Sequence, residues 1–136
     1  MLSEFLKKTN VIAVVGVSRN KEKYGYKIYK ALKNAGYKVY PINPNADRIE
    51  GDKCFPSISS LPVKVDVVIT VVPPKITEKV IREMAELGLK KLWMQPGSES
   101  DEVIEKARSL GIKFVAKMCF VVDGLNEDLN ELAFKM

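Results

Sequence analysis

The chain has 136 residues, 46% of them hydrophobic and 29% charged, which is the balance of one globular domain and not of a disordered segment. Its formal net charge is +5, but the lysines alternate with glutamates and form no continuous basic block, which argues against nucleic acid as a partner. It contains no histidine, so phosphohistidine, His-based acid–base catalysis and His–metal sites are excluded together.

Residues 1–10 lack the apolar core of a secretory signal, and no run approaches the length of a membrane span. Two cysteines far apart, Cys54 and Cys119, do not make a disulfide framework. A cytoplasmic location follows as the expectation. The single glutamine, Gln95, beside abundant Lys and Glu is a thermophile-like composition.

Ser3 to Lys8 reads as a short leading helix. Val11-Ile-Ala-Val-Val-Gly16 is apolar without alternation, the pattern of a strand buried on both faces. Tyr24 to Ala35 carries helical periodicity through Ile28, Leu32 and Ala35, and Gly36 stands at its C-cap. Tyr37 to Ile42 is a second strand, stopped by Asn43-Pro44. The polar stretch from Asn45 to Leu61 holds a short extended piece at Lys53 to Phe55. Val65 to Val72 carries the strongest strand pattern in the chain, ended by Pro73-Pro74.

Ile76 to Leu87 is amphipathic, with Val80, Met84 and Leu87 on one side and Gly88 after it. Lys91 to Met94 is a fourth strand, with Trp93 and Met94 as core residues, and Gln95-Pro96-Gly97 is its turn. Ser98 and Ser100 both fit as N-caps of a helix from Asp101 to Leu110, whose first turn is acidic. Ile112 to Ala116 is a fifth strand, and Asn126 to Phe134 a terminal helix. An apolar face from Asn126 to Met136 serves either the core or a dimer, so both a monomer and a homodimer stay open.

Strands alternating with helices require right-handed crossovers and a parallel sheet covered on both faces. The expected fold is α/β: one Rossmann-like, doubly wound parallel sheet of about five strands with helices on both faces, a single domain over residues 1–136. In such sheets ligands bind at the carboxyl ends of the strands, near the reversal of strand order. That rule selects the loops at Gly16–Gly25, Asn43–Asn45, Val72–Ile76 and Gln95–Gly97, and the end of the fifth strand at Lys117–Cys119.

The first loop offers Gly16 for close backbone approach, the Ser18 hydroxyl, the Arg19 guanidinium and a helix N-terminus, parts that suit a phosphate. It is not the dinucleotide fingerprint, because Gly-x-Gly-x-x-Gly is absent, with Ser18 where the second glycine belongs, and Ile42-Asn43-Pro44 ends the second strand without an acidic residue. Tyr24 is a candidate for stacking on a nucleotide. Cys119 sits at the ligand edge, with Lys117 nearby as a group that would favour its thiolate. Cys54 reads as structural.

Val11–Ser18, Tyr37–Pro44, Val72-Pro-Pro74, Leu92–Gly97 and Cys119 occur in the order and spacing of the CoA-binding domain proteins. The chain resembles these small free-standing relatives of the amino-terminal domain of the succinyl-CoA synthetase α subunit, from about Phe5 to Val122. The resemblance implies coenzyme A as ligand, with Gly16, Val17, Ser18 and Arg19 around its diphosphate and Asn43 and Pro44 bordering the nucleotide. Val72, Pro73 and Pro74 would pack against adenine or pantetheine, and Gln95, Pro96 and Gly97 would flank the pantetheine arm. Lys117-Met118-Cys119 departs from the family's usual Asp-Arg-Cys or Asn-Cys, and the phosphorylated histidine of the synthetase has no counterpart.

The expected role is therefore a non-catalytic CoA binder, a carrier or thiol-redox sensor, with Cys119 able to form a mixed disulfide with CoA. An NAD(P)-binding oxidoreductase and an adenine-nucleotide-binding regulatory protein are the alternatives.

Overall fold

The computed structural model describes residues 2–135. In chain order it runs α1 (Ser3–Leu6), β1 (Val11–Val15), α2 (Tyr24–Asn34), β2 (Lys38–Ile42), β3 (Arg48–Ile49) and β4 (Asp52–Lys53). After a 3₁₀ turn at Ile58–Ser60 come β5 (Val67–Thr70), α3 (Pro74–Leu87), β6 (Lys91–Met94), α4 (Asp101–Ser109) and β7 (Lys113–Ala116). A π-helical turn at Phe120–Gly124 leads to α5 (Leu129–Ala133). Met1 and Met136, the ends of the domain read from the sequence, lie outside the described residues.

The main sheet has five strands in the order β2-β1-β5-β6-β7, and every pairing in it is parallel. This is the expected doubly wound α/β architecture. Alternate residues face opposite layers. Ile12, Val14, Val67, Ile69 and Trp93 pack with Tyr26, Ile28 and Leu32 of α2 and Leu132 and Ala133 of α5. Ala13, Val15, Val68, Leu92 and Met94 pack with Val80, Ile81 and Met84 of α3 and Val103 and Ala107 of α4. Burying each large apolar side chain is worth roughly 1.5–3 kcal/mol, so a sheet covered on both faces supplies the main stabilisation.

The differences from the sequence reading have local causes. The strand expected over Val65–Val72 is shorter, beginning at Val67: just before it Asp66 donates its N–H to the Val11 carbonyl while its carboxylate, in place of a backbone carbonyl, accepts the Val11 N–H, each at 2.8 Å. At the other end Val71 donates to the Val15 carbonyl, and Pro73 then caps α3. Pro74 opens α3 two residues before Ile76, where its missing N–H costs nothing because first-turn N–H groups have no helical partner. The buried stripe of α3 is Thr77, Val80, Ile81 and Met84, while Leu87 is exposed.

Of the two serines, Ser100 caps α4 by accepting the Val103 N–H at 3.1 Å. Ser98 is instead buried, bonded to Thr70 and to the Gln95 carbonyl. The terminal helix is confined to Leu129–Ala133, since Asn126 takes a left-handed conformation with φ 57°. Leu132 and Ala133 face the core, and Asn34 Nδ2 donates to both their carbonyls. Leu132 and Ala133 thus serve the core, whereas Phe134 of the same terminal segment is 46% exposed and stacks on Tyr26.

The antiparallel hairpin β3–β4 flanks the sheet beyond β2, where Phe55 bridges to Ile42. It is tied to α2 through Asp52, which accepts from Tyr29 Oη at 2.5 Å and pairs with Lys33. Partial burial pushes the Asp52 carboxyl up, but the bonds from Lys33 and Tyr29 and the charge of Lys30 outweigh it and hold it below its ordinary value. A carboxylate depressed in this way contributes fully above its unfolded pKa and loses its contribution as pH falls through the folded one. In Asp52→Asn the acid limb of the stability–pH curve should accordingly become shallower, with about 1 kcal/mol or less lost at neutral pH. An unchanged acid limb would show that other contacts anchor the hairpin.

Candidate functional site at the carboxyl edge of the sheet

Because all five strands run the same way, their carboxyl ends deliver Gly16, Asn43, Val71, Gln95 and Lys117 to one edge. From β1 the chain moves outward to β2, then returns across β1 to β5. The strand order thus reverses between β1 and β5.

At that point the backbone is unusually close-packed. Gly16 has φ 103°, and a Cβ there would stand 2.4 Å from the Val71 carbonyl oxygen and 2.7 Å from Val72 Cγ1. Gly25, in the first turn of α2, sits against the same turn: a Cβ on it would lie 2.0 Å from the Gly16 carbonyl oxygen. These two glycines bring the helix N-terminus down onto the reversal point. No side chain caps that N-terminus, and its first turn holds no acidic residue, so its backbone N–H groups and positive dipole end remain available for an anion.

The intervening loop is shaped by its own polar groups. Ser18 Oγ accepts the Asn20 N–H, and Asn20 Oδ1 accepts the Glu22 N–H, each at 3.0 Å. Arg19 points outward between them and is exposed. Asn43 ties the loop to the end of β2, donating from Nδ2 to the Val17 carbonyl at 2.7 Å while its Oδ1 accepts the Asn45 N–H. Val17 is itself fully buried, so only its backbone can meet a ligand. Cys54 is buried beside Asn43, whose carbonyl accepts its thiol, and burial pushes that thiol's pKa up, in keeping with a structural role.

Val72, Pro73, Pro96 and Gly97, with Val71 and Ser98, line a cleft of about 220 Å³ between the ends of β5 and β6. Pro74 is set apart from it, lining a groove with Lys75 and Ser100 between the starts of α3 and α4. Another cavity, of about 300 Å³ at Leu61, Val63, Val65 and Leu89, lies by the start of β5 and the end of α3, away from the carboxyl edge. Among the described residues no group of three or more His, Cys, Asp or Glu side chains is placed to hold a metal ion. No helix among them is long and apolar enough to cross a membrane.

Gln95 organises the far side of the edge. It is fully buried, and its amide is spent within the protein. Nε2 donates to Tyr24 Oη at 2.5 Å and to Cys119 Sγ at 3.3 Å, while Oε1 accepts the Phe120 N–H at 2.7 Å. Tyr24 is thereby held by its hydroxyl instead of being left free to stack. Burial, with the Cys119 thiol beside it, raises its pKa. Cys119 is 6% exposed, caps the π-helical turn and also accepts the Val122 N–H at 3.5 Å. Gln95 and Val122, not the exposed Lys117, supply the groups bonded to the thiol.

A family model described as a CoA binding domain matches residues 10–124, a span that takes in all five loops of the edge. The chain belongs to the CoA-binding domain family. A conserved hypothetical protein from Pyrococcus furiosus shares 46% identity and a TM-score of 0.80, over 83% of this chain and 97% of its own. Acetate–CoA ligase (ADP-forming) II from Archaeoglobus fulgidus is 40% identical over 114 residues, which are 75% of this chain and 17% of the ligase. Uncharacterized protein YneT from Bacillus subtilis is 26% identical over 121 residues, 89% of this chain and 90% of its own. The chain thus spans 17% to 28% of the length of the first curated ligases it matches, but nearly the whole of YneT.

Within this CoA-binding domain the carboxyl edge unites Gly16, Ser18, Arg19 and Asn43 at the β1–β2 side. Val72, Pro73, Pro96 and Gly97 stand in the middle, and Gln95, Tyr24 and Cys119 on the β6–β7 side. Reading the sequence did not find what Gly25 does, although a glycine in the first turn of an amphipathic helix is a signal of close packing. Nor did it find the Gln95 bond to the Phe120 N–H, for which no local pattern exists.

Proposed function

We propose that the protein binds coenzyme A across the carboxyl edge of its sheet and holds it without catalysing a turnover. The observation that carries this reading is the contact of Gly16 and Gly25 at the strand-order reversal, which presents the uncapped N-terminus of α2 to an anion. A diphosphate matches that arrangement, and Ser18 and Arg19 add a hydroxyl and a guanidinium beside it. Membership of the CoA-binding domain family supports coenzyme A as the nucleotide. The pantetheine arm then runs over Val72, Pro73, Pro96 and Gly97 toward Gln95 and Cys119.

The ligase activity named for the longer relatives is not part of the proposal. The chain matches only 17% to 28% of those proteins and has no histidine to act as an acid–base or phosphoryl group. A thiol role fits the site better. When CoA disulfide is the donor, the Cys119 thiolate attacks one of its sulfurs, forming a Cys119–CoA disulfide and releasing the second CoA as thiolate; a reductant reverses the step. The bound nucleotide then marks the redox state of the CoA pool.

Calorimetric titration tests the ligand. CoA should bind, and neither NAD nor ATP should displace it at comparable concentration. Heat of binding from NAD or ATP, with none from CoA, would favour a different nucleotide. With CoA disulfide the adduct should form on the parent chain and on Cys54→Ser but not on Cys119→Ser. An adduct persisting on Cys119→Ser would remove the redox role.

A further inference from the structure

The outer flank of the sheet is closed for only part of its length. Phe55 pairs with the free edge of β2, its N–H donating to the Pro41 carbonyl at 3.0 Å and its carbonyl accepting the Asn43 N–H at 2.9 Å. The next rung toward the amino end would need a Pro41 N–H to meet Lys53, and proline has none. The hairpin splays away there, and β4 pairs with β3 alone. Backbone groups alternate sides along a strand, so Val39 points its N–H and carbonyl outward as Pro41 does. They face a cavity of about 240 Å³ instead of a strand, walled by the rings of Tyr29, Tyr40 and Phe55 and by Lys33, Asp52 and Lys53.

The charge of this flank has one sign. Residues 19–53 hold nine Lys and Arg against four Asp and Glu, so this segment carries the whole formal excess of +5 and the rest of the chain is balanced. Glu50 and Asp52 interrupt it by pairing with Lys21, Lys30 and Lys33, which breaks any continuous track for a nucleic acid backbone. Lys38 and Lys53 stay exposed and enter no ion pair among the described residues. They lie over the rings of Tyr40 and Phe55, 5.9 and 5.2 Å from the centroids, and so bracket the cavity.

We propose that this flank docks an acidic, extended segment of a partner protein, which adds to the edge of β2 at Val39 and sets one apolar side chain into the cavity. An unpaired strand edge is a template for another chain, and one antiparallel residue opposite Val39 closes both of its backbone groups. The cavity is smaller than the roughly 300–1,000 Å³ of a small-molecule site, which suits a single anchoring side chain. Acidic neighbours of the anchor then meet Lys38 and Lys53. The cavity lies off the carboxyl edge, so the proposal does not depend on the CoA reading.

Titration of the isotope-labelled chain by NMR tests it, with the peptide Glu-Asp-Phe-Asp-Glu as probe. The peptide should bind with a Kd below about 1 mM and shift the Val39 and Phe55 amides, and saturating CoA should not displace it. Replacing its Phe by Ala, or methylating the Phe nitrogen, should weaken binding about tenfold or more. The double variant Lys38→Glu, Lys53→Glu should weaken it about fivefold or more, while Lys90→Glu, exposed and before β6, leaves it unchanged. No binding at 1 mM, shifts confined to other elements, indifference to the anchor or to N-methylation, an equal loss in Lys90→Glu, or displacement by CoA would overturn the proposal. Tighter binding of a single-stranded RNA oligomer on the same amides would overturn it as well, in favour of a nucleic acid.

Discussion

Gly25→Ala is expected to unfold at a clearly lower urea concentration than the parent chain, with a loss on the order of 3 kcal/mol. Intrinsic propensity points the other way, since alanine in a helix is favoured over glycine by up to about 1 kcal/mol. Geometry decides the sign. The new Cβ would stand 2.0 Å from the Gly16 carbonyl oxygen, a backbone atom that cannot swing aside as a side chain would. Relief requires α2 to lift from the sheet, which loosens the packing of Tyr26, Ile28 and Leu32 and moves the helix N-terminus from the reversal point. CoA affinity should fall along with stability. Gly111→Ala is the comparison, because its φ is 71° and a Cβ would meet nothing within 4 Å. Only the left-handed strain of about 1 kcal/mol applies there. A Gly25→Ala chain as stable as the parent would show that α2 does not need its close seat.

Gln95→Leu is expected to cost about 2–4 kcal/mol in the same measurement. The substitution is nearly isosteric, so packing changes little and the loss reports on hydrogen bonds. It strands the Phe120 N–H, which Oε1 accepts at 2.7 Å, and removes the donor shared by Tyr24 and Cys119. Buried donors without partners cost roughly 1–3 kcal/mol each, more than a typical satisfied bond contributes. The π-helical turn that presents Cys119 should loosen, and thiol-directed reagents should reach Cys119 faster. A loss below about 0.5 kcal/mol, the range of ordinary surface substitutions, would show that the network is not what holds this turn.

The strands were legible because a sheet covered on both faces demands continuous β-branched apolar runs, as at Val11–Val15 and Val67–Thr70. Helix boundaries were less so. Pro74 serves equally well as a strand terminator and as a first helical residue, and only the chain's turn at Val71–Pro73 decides between them. Ser98 and Ser100 have the same local chemistry, and Ser98 is diverted by Thr70, which is distant in sequence. The loops of the candidate site were found by topology alone, since strand ends follow from strand positions. What each side chain does there depends on contacts across the fold. Tyr24 and Gln95 meet across 71 residues of sequence, and Gly25 meets Gly16 through helix placement, so neither relation leaves a local pattern.

The reading of the whole edge stands on coenzyme A as its ligand, and native mass spectrometry of the purified chain, with and without reductant, tests that most directly. The expected spectrum carries an added mass of one CoA, bound after incubation with CoA and retained covalently only when CoA disulfide was supplied without reductant. A chain that stays at its bare mass with CoA in either form, while NAD or ATP adds its own mass, would contradict the account.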